Sequence, residues 1–474
     1  MGDTHHDDGA VVCLVMIVKN EARIMRRCLD QLVGLIDYVC ISDTGSTDDT
    51  VSIIESFIEE KKAQQALRGG AVFHHAWKNF GHNRTLSSRA AQRWLLKERF
   101  PEPATTSSTR VNIVESTEKD EDDEDEEADA DGPEGFVTPG GKNGGGTREV
   151  ISLEDPDKTR LASLKNVVFL MLDADMRLWV HPRHEDQHFR HLATEQKEDE
   201  LRRCREDERW LRFWKESLIQ EAMGMINQWG PNIIYPNIRF MRADQWITCL
   251  GPTHEYYCAA DPLTGADVPS RLMHRSCSIE DIGDGGSKSD KFERDIRLLK
   301  EGIEEEPDNC RYWFYLGNSY KNHGDHEKAI EAYRKRVAFG GWVEEIFMSH
   351  LYMGECYEIM NRQAEALLEY FKGYDAHPQR SETLYRASVL SRKMNMYRVS
   401  EMATEKGAAI RIPPGGGLFI EPNVYEYLFT EETSISSYYT NKKELGKKAC
   451  LRILSLEGVH PIHRDLAEKN IKFY

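Results

Sequence analysis

The sequence predicts an α/β domain followed by an all-α helical repeat domain, and three observations carry that prediction. Two apolar runs, VVCLVMIV at 11–18 and VVFLML at 167–172, are unbroken, as strands buried on both faces of a parallel sheet are. Between residues 11 and 60 such strands alternate with segments whose apolar residues fall three and four apart, which implies a parallel, helix-covered sheet. From about residue 291 the period becomes purely helical, and five positions recur at an offset of 37.

After the first strand, Asn20 is placed to cap a helix striped by Met25, Cys28, Leu29, Leu32 and Ile36. YVCIS (38–42) is the second strand. Ser46-Thr-Asp-Asp49 resembles a capping box, and Val51, Ile54 and Ile58 give the next helix its apolar stripe. Residues 102–158 combine TTSST, DEDDEDEEADAD and GGKNGGG with few bulky apolar side chains. Such a segment cannot bury enough surface to offset the entropy of ordering it, so a disordered insertion is expected. Order resumes in LKNVVFLML, a third buried strand that ends at Asp173-Ala-Asp175. Residues 183–225 are expected to form a second, charged helical insertion with an amphipathic run at Trp210, Phe213, Trp214, Leu218 and Met225.

Phe292, Ile296, Leu299 and Ile303 stripe a helix that Pro307 ends. Leu316, Gly317, Tyr320, Ala329 and Tyr333 then recur as Met353, Gly354, Tyr357, Ala366 and Tyr370. This is the tetratricopeptide pattern, in which small residues let paired helices approach closely. A third, degraded copy is expected from Thr383 to Ala409, and the tail from Pro413 reads as a loop and then a helical cap. The expected domains are 11–290, 291–412 and 413–474.

The formal charge of −18 is not a property of the whole surface, because eleven acidic residues and one lysine lie between Glu118 and Asp131. The remainder is ordinary for a soluble protein, and nothing points to a nucleic-acid surface. The ten cysteines form no C-x-x-C pair, and several sit in apolar runs, which suits a reducing compartment. MGDTHHDDGA is polar and acidic, unlike a signal peptide, and 11–18 is too short to span a bilayer. A cytoplasmic protein with no transmembrane segment is expected.

Four motifs carry chemistry. Asp43-Thr-Gly-Ser46 ends the second strand, where open α/β sheets bind ligands; an aspartate-capped helix start would use the same residues. Asp173-Ala-Asp175 places two carboxylates at a strand end, where they can share a hard cation or form a solvated turn. Gly251-Pro-Thr-His254-Glu255 offers a glutamate base with a histidine to orient it or contact phosphate, or else a capped turn with a satisfied histidine. Asp281-Ile-Gly-Asp-Gly-Gly286, followed by Lys288, Lys291 and Arg294, suits a diphosphate leaving group, and equally a flexible linker.

In order and spacing, VMIVKNEARIMRRCLDQL, DTGSTDDT, HAWKNFGHNRTLSSRAA and LDADMRL resemble a family 2 glycosyltransferase with the GT-A-like, Rossmann-related nucleotide-diphospho-sugar transferase fold. With THEYYCA, IEDIGDGGSKSDKFERD and the repeats, the chain resembles two-domain transferases of large DNA viruses, algae and bacteria. The resemblance implies that Asp43 contacts the nucleobase and that Asn83 and Arg84 line the nucleotide site. It implies that Asp173 approaches the ribose, that Asp175 binds Mn2+ or Mg2+ with Asp173 beside it, and that Glu255 is the base. Asp281 stands where relatives often have a histidine near the metal. The implied reaction is inverting transfer of a single sugar from a UDP- or GDP-sugar to an acceptor hydroxyl on a glycan, protein or small molecule, with Lys288, Lys291 and Arg294 near the diphosphate. The Q-x-x-R-W motif of processive synthases is absent. Asp244 is the rival base, and the repeats are a candidate surface for a peptide or protein partner. Two other classes compete. A nucleotidyltransferase would want a glycine-rich basic loop after the first strand, where this chain has VKNEAR. A repeat scaffold with a decayed transferase half is opposed by the intact Asp43, Asp173, Asp175 and Glu255.

Overall fold

The computed structural model describes residues 9–101, 155–181, 192–230, 234–272, 277–285, 291–413 and 417–474, with the isolated positions 136–137, 150–151 and 189. The first part runs β1 (Val11–Val18), α1 (Ala22–Asp30), β2 (Tyr38–Asp43), α2 (Thr50–Ala63), β3 (Gly69–His74), α3 (Phe80–Arg99), β4 (Phe136–Val137) and β5 (Val150–Ile151). It continues with β6 (Val167–Met171), β7 (Met176–Val180), α4 (Thr194–Glu206), α5 (Glu208–Leu218), β8 (Met223–Trp229), β9 (Ile234–Arg242), β10 (Trp246–Leu250), β11 (Tyr256–Ala260), β12 (Ser270–Leu272) and β13 (Cys277–Asp281).

The main sheet has the order β3-β2-β1-β6-β9-β8-β13-β7, with β12 paired to β8. β1, β2, β3 and β6 are parallel, as expected for β1, β2 and β6 from their apolar runs. The sheet is mixed beyond them, because β9 runs antiparallel to both β6 and β8, and β7 antiparallel to β13. A short β8–β9 connection permits only the antiparallel arrangement. Alternation along β1 splits the core. Val12, Leu14 and Met16 face α1, α2 and α5, while Val11, Cys13 and Val15 face α3.

Three expectations about local structure change. Asn20 does not cap α1. It adopts φ 56°, its side chain accepts the Thr47 N–H at 2.8 Å, and its own N–H donates to Ser46 Oγ at 2.9 Å. The cap falls to Asp48, whose carboxylate accepts the N–H of Ala22 at 3.1 Å and of Thr50 at 3.0 Å, so one side chain serves two helix starts. The amphipathic run of 183–225 ends at Leu218, and Met225 lies in β8 inside the sheet. Leu201, Cys204, Trp214 and Leu218 join the core under the sheet, so α4 and α5 pack on it. Within the acidic stretch, β4 and β5 pair antiparallel and residues 155–158 are described. The rest of that expected insertion lies outside the described residues, as does most of 183–191.

The helical part runs α6 (Lys291–Glu305), α7 (Cys310–His323), α8 (His326–Phe339), α9 (Val343–Ile359), α10 (Gln363–Ala376), α11 (Glu382–Lys393), α12 (Tyr397–Ala408), α13 (Phe429–Tyr439), α14 (Lys443–Ser455) and α15 (Pro461–Asn470). The recurring Gly–Tyr pair has a steric cause. A Cβ on Gly317 would lie 2.5 Å from the Tyr333 ring, and one on Gly354 would lie 2.2 Å from the Tyr370 ring. Each tyrosine therefore packs flush against the backbone of the preceding helix. Among the described residues, no helix is long and apolar enough to cross a membrane.

The two parts meet at the turn between β10 and β11. Thr253 Oγ1 donates to Asp295 of α6 at 3.2 Å, and the His254 ring stacks on Tyr315 of α7, 4.3 Å between centroids at 12°.

Candidate active site

Register gathers the strand ends. Val18 pairs with Asp43 and Asp43 with His74, so β1, β2 and β3 finish level at one edge. Val15 pairs with Met171, which brings Asp173 to that same edge. The Asp43 carboxylate accepts the N–H groups of Gly45 and Ser46, each at 3.1 Å, and His74 Nδ1 stands 3.5 Å away. Burial pushes the Asp43 pKa up, but the His74 and Ser46 side chains and these N–H groups outweigh it and hold the carboxyl below the usual range.

Arg84, in the second turn of α3, joins the other two motifs. Its Nε donates to Glu255 Oε1 at 2.5 Å, and its terminal nitrogen donates to Asp173 Oδ1 at 2.5 Å. Its side chain is 8% exposed. Arg239 of β9 approaches Asp173 Oδ2 at 3.8 Å. Burial would raise the Asp173 carboxyl, and the Arg84 and Arg239 guanidiniums overcome it, so the pKa falls below the usual carboxylate range. Glu255 Oε2 takes no hydrogen bond among the described residues.

Asp175 has the opposite electrostatics. Burial raises its pKa, and the nearby Asp173 and Asp281 raise it further. Asp281 ends β13 opposite Met176, and the Ile282 N–H donates to the Asp175 carbonyl at 3.1 Å. Gln228 links the two sides, donating to Asp281 Oδ2 at 3.4 Å and accepting from Arg239 at 2.7 Å. The loop after β13 folds back over the pair, because Asp284 forms a bidentate pair with Arg27 at 2.7 and 2.8 Å. Gly285 lies so near that its Cβ would be 3.1 Å from Asp175 Oδ2 and 3.4 Å from Glu21 Oε1.

The other candidate residues occupy defined local environments. Asn83 accepts from Lys78 N–H at 3.0 Å and donates to the Ala76 carbonyl at 2.8 Å, so it shapes the loop after β3. Asp173 lies between two guanidiniums, that of Arg84 at 2.5 Å and that of Arg239 at 3.8 Å. Asp244 forms a bidentate pair with Arg242, 2.9 Å for each bond, next to Ala243, whose N–H donates to Val167. That is the opposite end of β6 from Asp173, six residues or roughly 20 Å away at the usual strand rise, so Asp244 is no rival base. His254 stacks on Tyr315, and its Nε2 stands 3.9 Å from Asp295. Lys291 and Arg294 are placed at the Glu255 turn, with Arg294 5.3 Å over the Phe80 ring, and Lys288 lies outside the described residues.

His74, Glu21, Gln228 and Arg239 were missed. Glu21 and His74 both follow or end a strand at the ligand edge, a signal that could have found them. Arg239 and Gln228 carried none, because only the antiparallel placement of β9 turns them toward Asp173 and Asp281.

Clustered carboxylates and a guanidinium clamp thus share one edge of the sheet. Residues 13–92 match the family model described as glycosyl transferase family 2, and residues 298–331 match a tetratricopeptide repeat. The chain thus carries a segment similar to family 2 glycosyl transferases, followed by one similar to a tetratricopeptide repeat. The family 2 match ends before Asp173 and Glu255. No curated protein matches the chain. Among solved structures, MamA shares 15% identity over 38% of this chain and 89% of its own, with a TM-score of 0.28. YrrB, titled a TPR protein with an unusual peptide-binding site, shares 12% over 39% and 86%, with a TM-score of 0.30. A tetratricopeptide repeat protein from Parabacteroides merdae shares 14% over 38% and 66%, with a TM-score of 0.31. At these TM-scores they do not bear on the fold.

Proposed function

We propose that this protein moves a single sugar from a UDP- or GDP-sugar to an acceptor hydroxyl in one inverting displacement, with Glu255 as base. The observation that carries this reading is the pair of hydrogen bonds that Arg84 donates, one to Asp173 and one to Glu255, which hold the donor side and the base relative to each other. Glu255 Oε2 takes the proton as the acceptor oxygen attacks the anomeric carbon and the nucleoside diphosphate departs. Asp43 and His74 close the far end of the site, where the base and ribose would lie.

Among the described residues, no group of three or more His, Cys, Asp or Glu side chains is arranged to hold a metal alone. Asp175 nonetheless suits a cation shared with phosphate oxygens, because its burial beside Asp173 and Asp281 concentrates negative charge there. Asp175 would hold Mn2+ or Mg2+ with Asp281 beside it, and the cation would neutralise charge on the departing diphosphate.

A donor-hydrolysis screen of UDP-, GDP- and dTDP-sugars with each metal, read by nucleotide release, tests the reading. Asp175→Ala should abolish metal-dependent donor binding in calorimetry. Glu255→Gln should keep donor binding and lower transfer by about 10²–10⁴-fold, the range for a lost general base. Wild-type transfer in Glu255→Gln would remove Glu255 from the mechanism.

A further inference from the structure

Residues 417–421, ahead of α13, lie against α9 and α11. Leu418 N–H donates to Glu344 Oε2 at 3.1 Å, and its carbonyl accepts from Arg380 at 2.7 Å. Glu421 N–H donates to Glu382 at 3.4 Å, and its carboxylate takes Arg386 at 2.8 and 3.0 Å. Arg386 also holds Glu355 of α9 at 3.3 Å, which takes Lys321 of α7 at 2.5 Å. At the tip, Phe419 has φ 53°, a conformation that a residue with a bulky side chain rarely adopts. Its ring meets Tyr235 edge-on, 6.0 Å between centroids at 79°. Tyr235 shares one face of β9 with Asn237 and Arg239 at alternate positions, and Asn237 and Arg239 both donate to Gln228. Both rings are half-buried.

We propose that Phe419 and Tyr235 form the wall of the acceptor site and receive a sugar ring of the acceptor, so that the repeats serve to hold this wall. The inference rests on the transferase reading. With the nucleotide at Asp43 and His74 on β2 and β3, an acceptor must enter from beyond β6, where β9 stands. The half-buried aromatic rings offer an apolar surface for C–H faces, and Asn237, which uses one amide N–H on Gln228, keeps a second as a donor for a hydroxyl. A peptide partner on this face would have to displace the bonds of Leu418 and Glu421 to Glu344, Arg380, Glu382 and Arg386.

The test uses a panel of p-nitrophenyl hexopyranosides as acceptor probes with the full chain. Phe419→Ala should raise the KM for a glycoside about tenfold, the worth of a good aromatic contact, while the calorimetric affinity for UDP or GDP with Mn2+ stays at wild type. Phe419→Tyr should restore the KM. Phe419→Leu, which fills the space without an aromatic face, replaces Phe419→Ala if that variant melts early. An unchanged KM in Phe419→Ala or Phe419→Leu overturns the proposal, and so does a wild type that binds no glycoside of the panel in saturation-transfer NMR. Failure of the transferase reading would show instead as no nucleotide released from any donor, whether or not glycosides bind.

Discussion

Removing the guanidinium of Arg84 would strand Asp173 and Glu255 as neighbouring carboxylates with little solvent to screen them. Breaking a buried ion pair from one side costs roughly 3–5 kcal/mol, because the surviving charge stays desolvated. Arg84→Met should therefore lower the unfolding free energy by about that amount in urea titrations, and Arg84→Lys by less, since an ammonium keeps the charge but loses the fork. A loss under ~1 kcal/mol in Arg84→Met would mean that water already solvates the triad. The residues of this site were only partly legible beforehand. Asp43 and Asp175 were visible because each closes an apolar run, whereas the link through Arg84 joins positions 89 and 171 residues apart and has no local signature.

At the scale of elements, the repeats are the most legible part of the chain, since each Gly–Tyr pair is a local contact between successive helices. Gly354→Ala would drive a methyl into the Tyr370 ring, so a loss of about 1–3 kcal/mol is expected for overpacking. The double variant Gly354→Ala/Tyr370→Leu should recover part of it, a coupling that chemical denaturation of the four species measures. Additive losses would show that the two positions do not press on one another. Gly407 extends the logic with a changed partner, because its Cβ would lie 2.1 Å from Phe429 of the following helix. Beside the sheet, the charged outer faces of α4 and α5 dominate their composition, while Leu201, Cys204, Trp214 and Leu218 make the buried stripe.

For the whole molecule, the junction between the sheet and the repeats should respond to pH through His254. Burial, with Lys291 and Arg311 nearby, pushes its ring to about 3 from an ordinary 6.5, although Asp295 of α6 lies 3.9 Å away and the Tyr315 ring covers one face. A ring with a depressed folded pKa gains its proton on unfolding. The unfolded state therefore takes up protons first, and stability is lost as pH falls from about 6.5 towards about 3. A third of the side chain is exposed, so solvent screens part of the effect. His254→Phe keeps the stack and removes the titration, so its urea midpoint should gain on wild type between pH 7 and pH 5. Parallel midpoints across that range would rule out His254 as the source.

What could be read from residues alone were those features whose cause is local. Apolar runs marked β1, β2 and β6, three- and four-residue spacing marked the helices, and a 37-residue offset marked the repeats, because burial on a strand or a helix face depends on near neighbours in the chain. The antiparallel insertion of β9 between β6 and β8, the meeting of Arg84 with Asp173 and Glu255, and the turn that brings Phe419 to Tyr235 were decided by tertiary structure. Each joins segments distant in sequence through charged or aromatic side chains. Their pairing becomes favourable only once packing has removed the water between them.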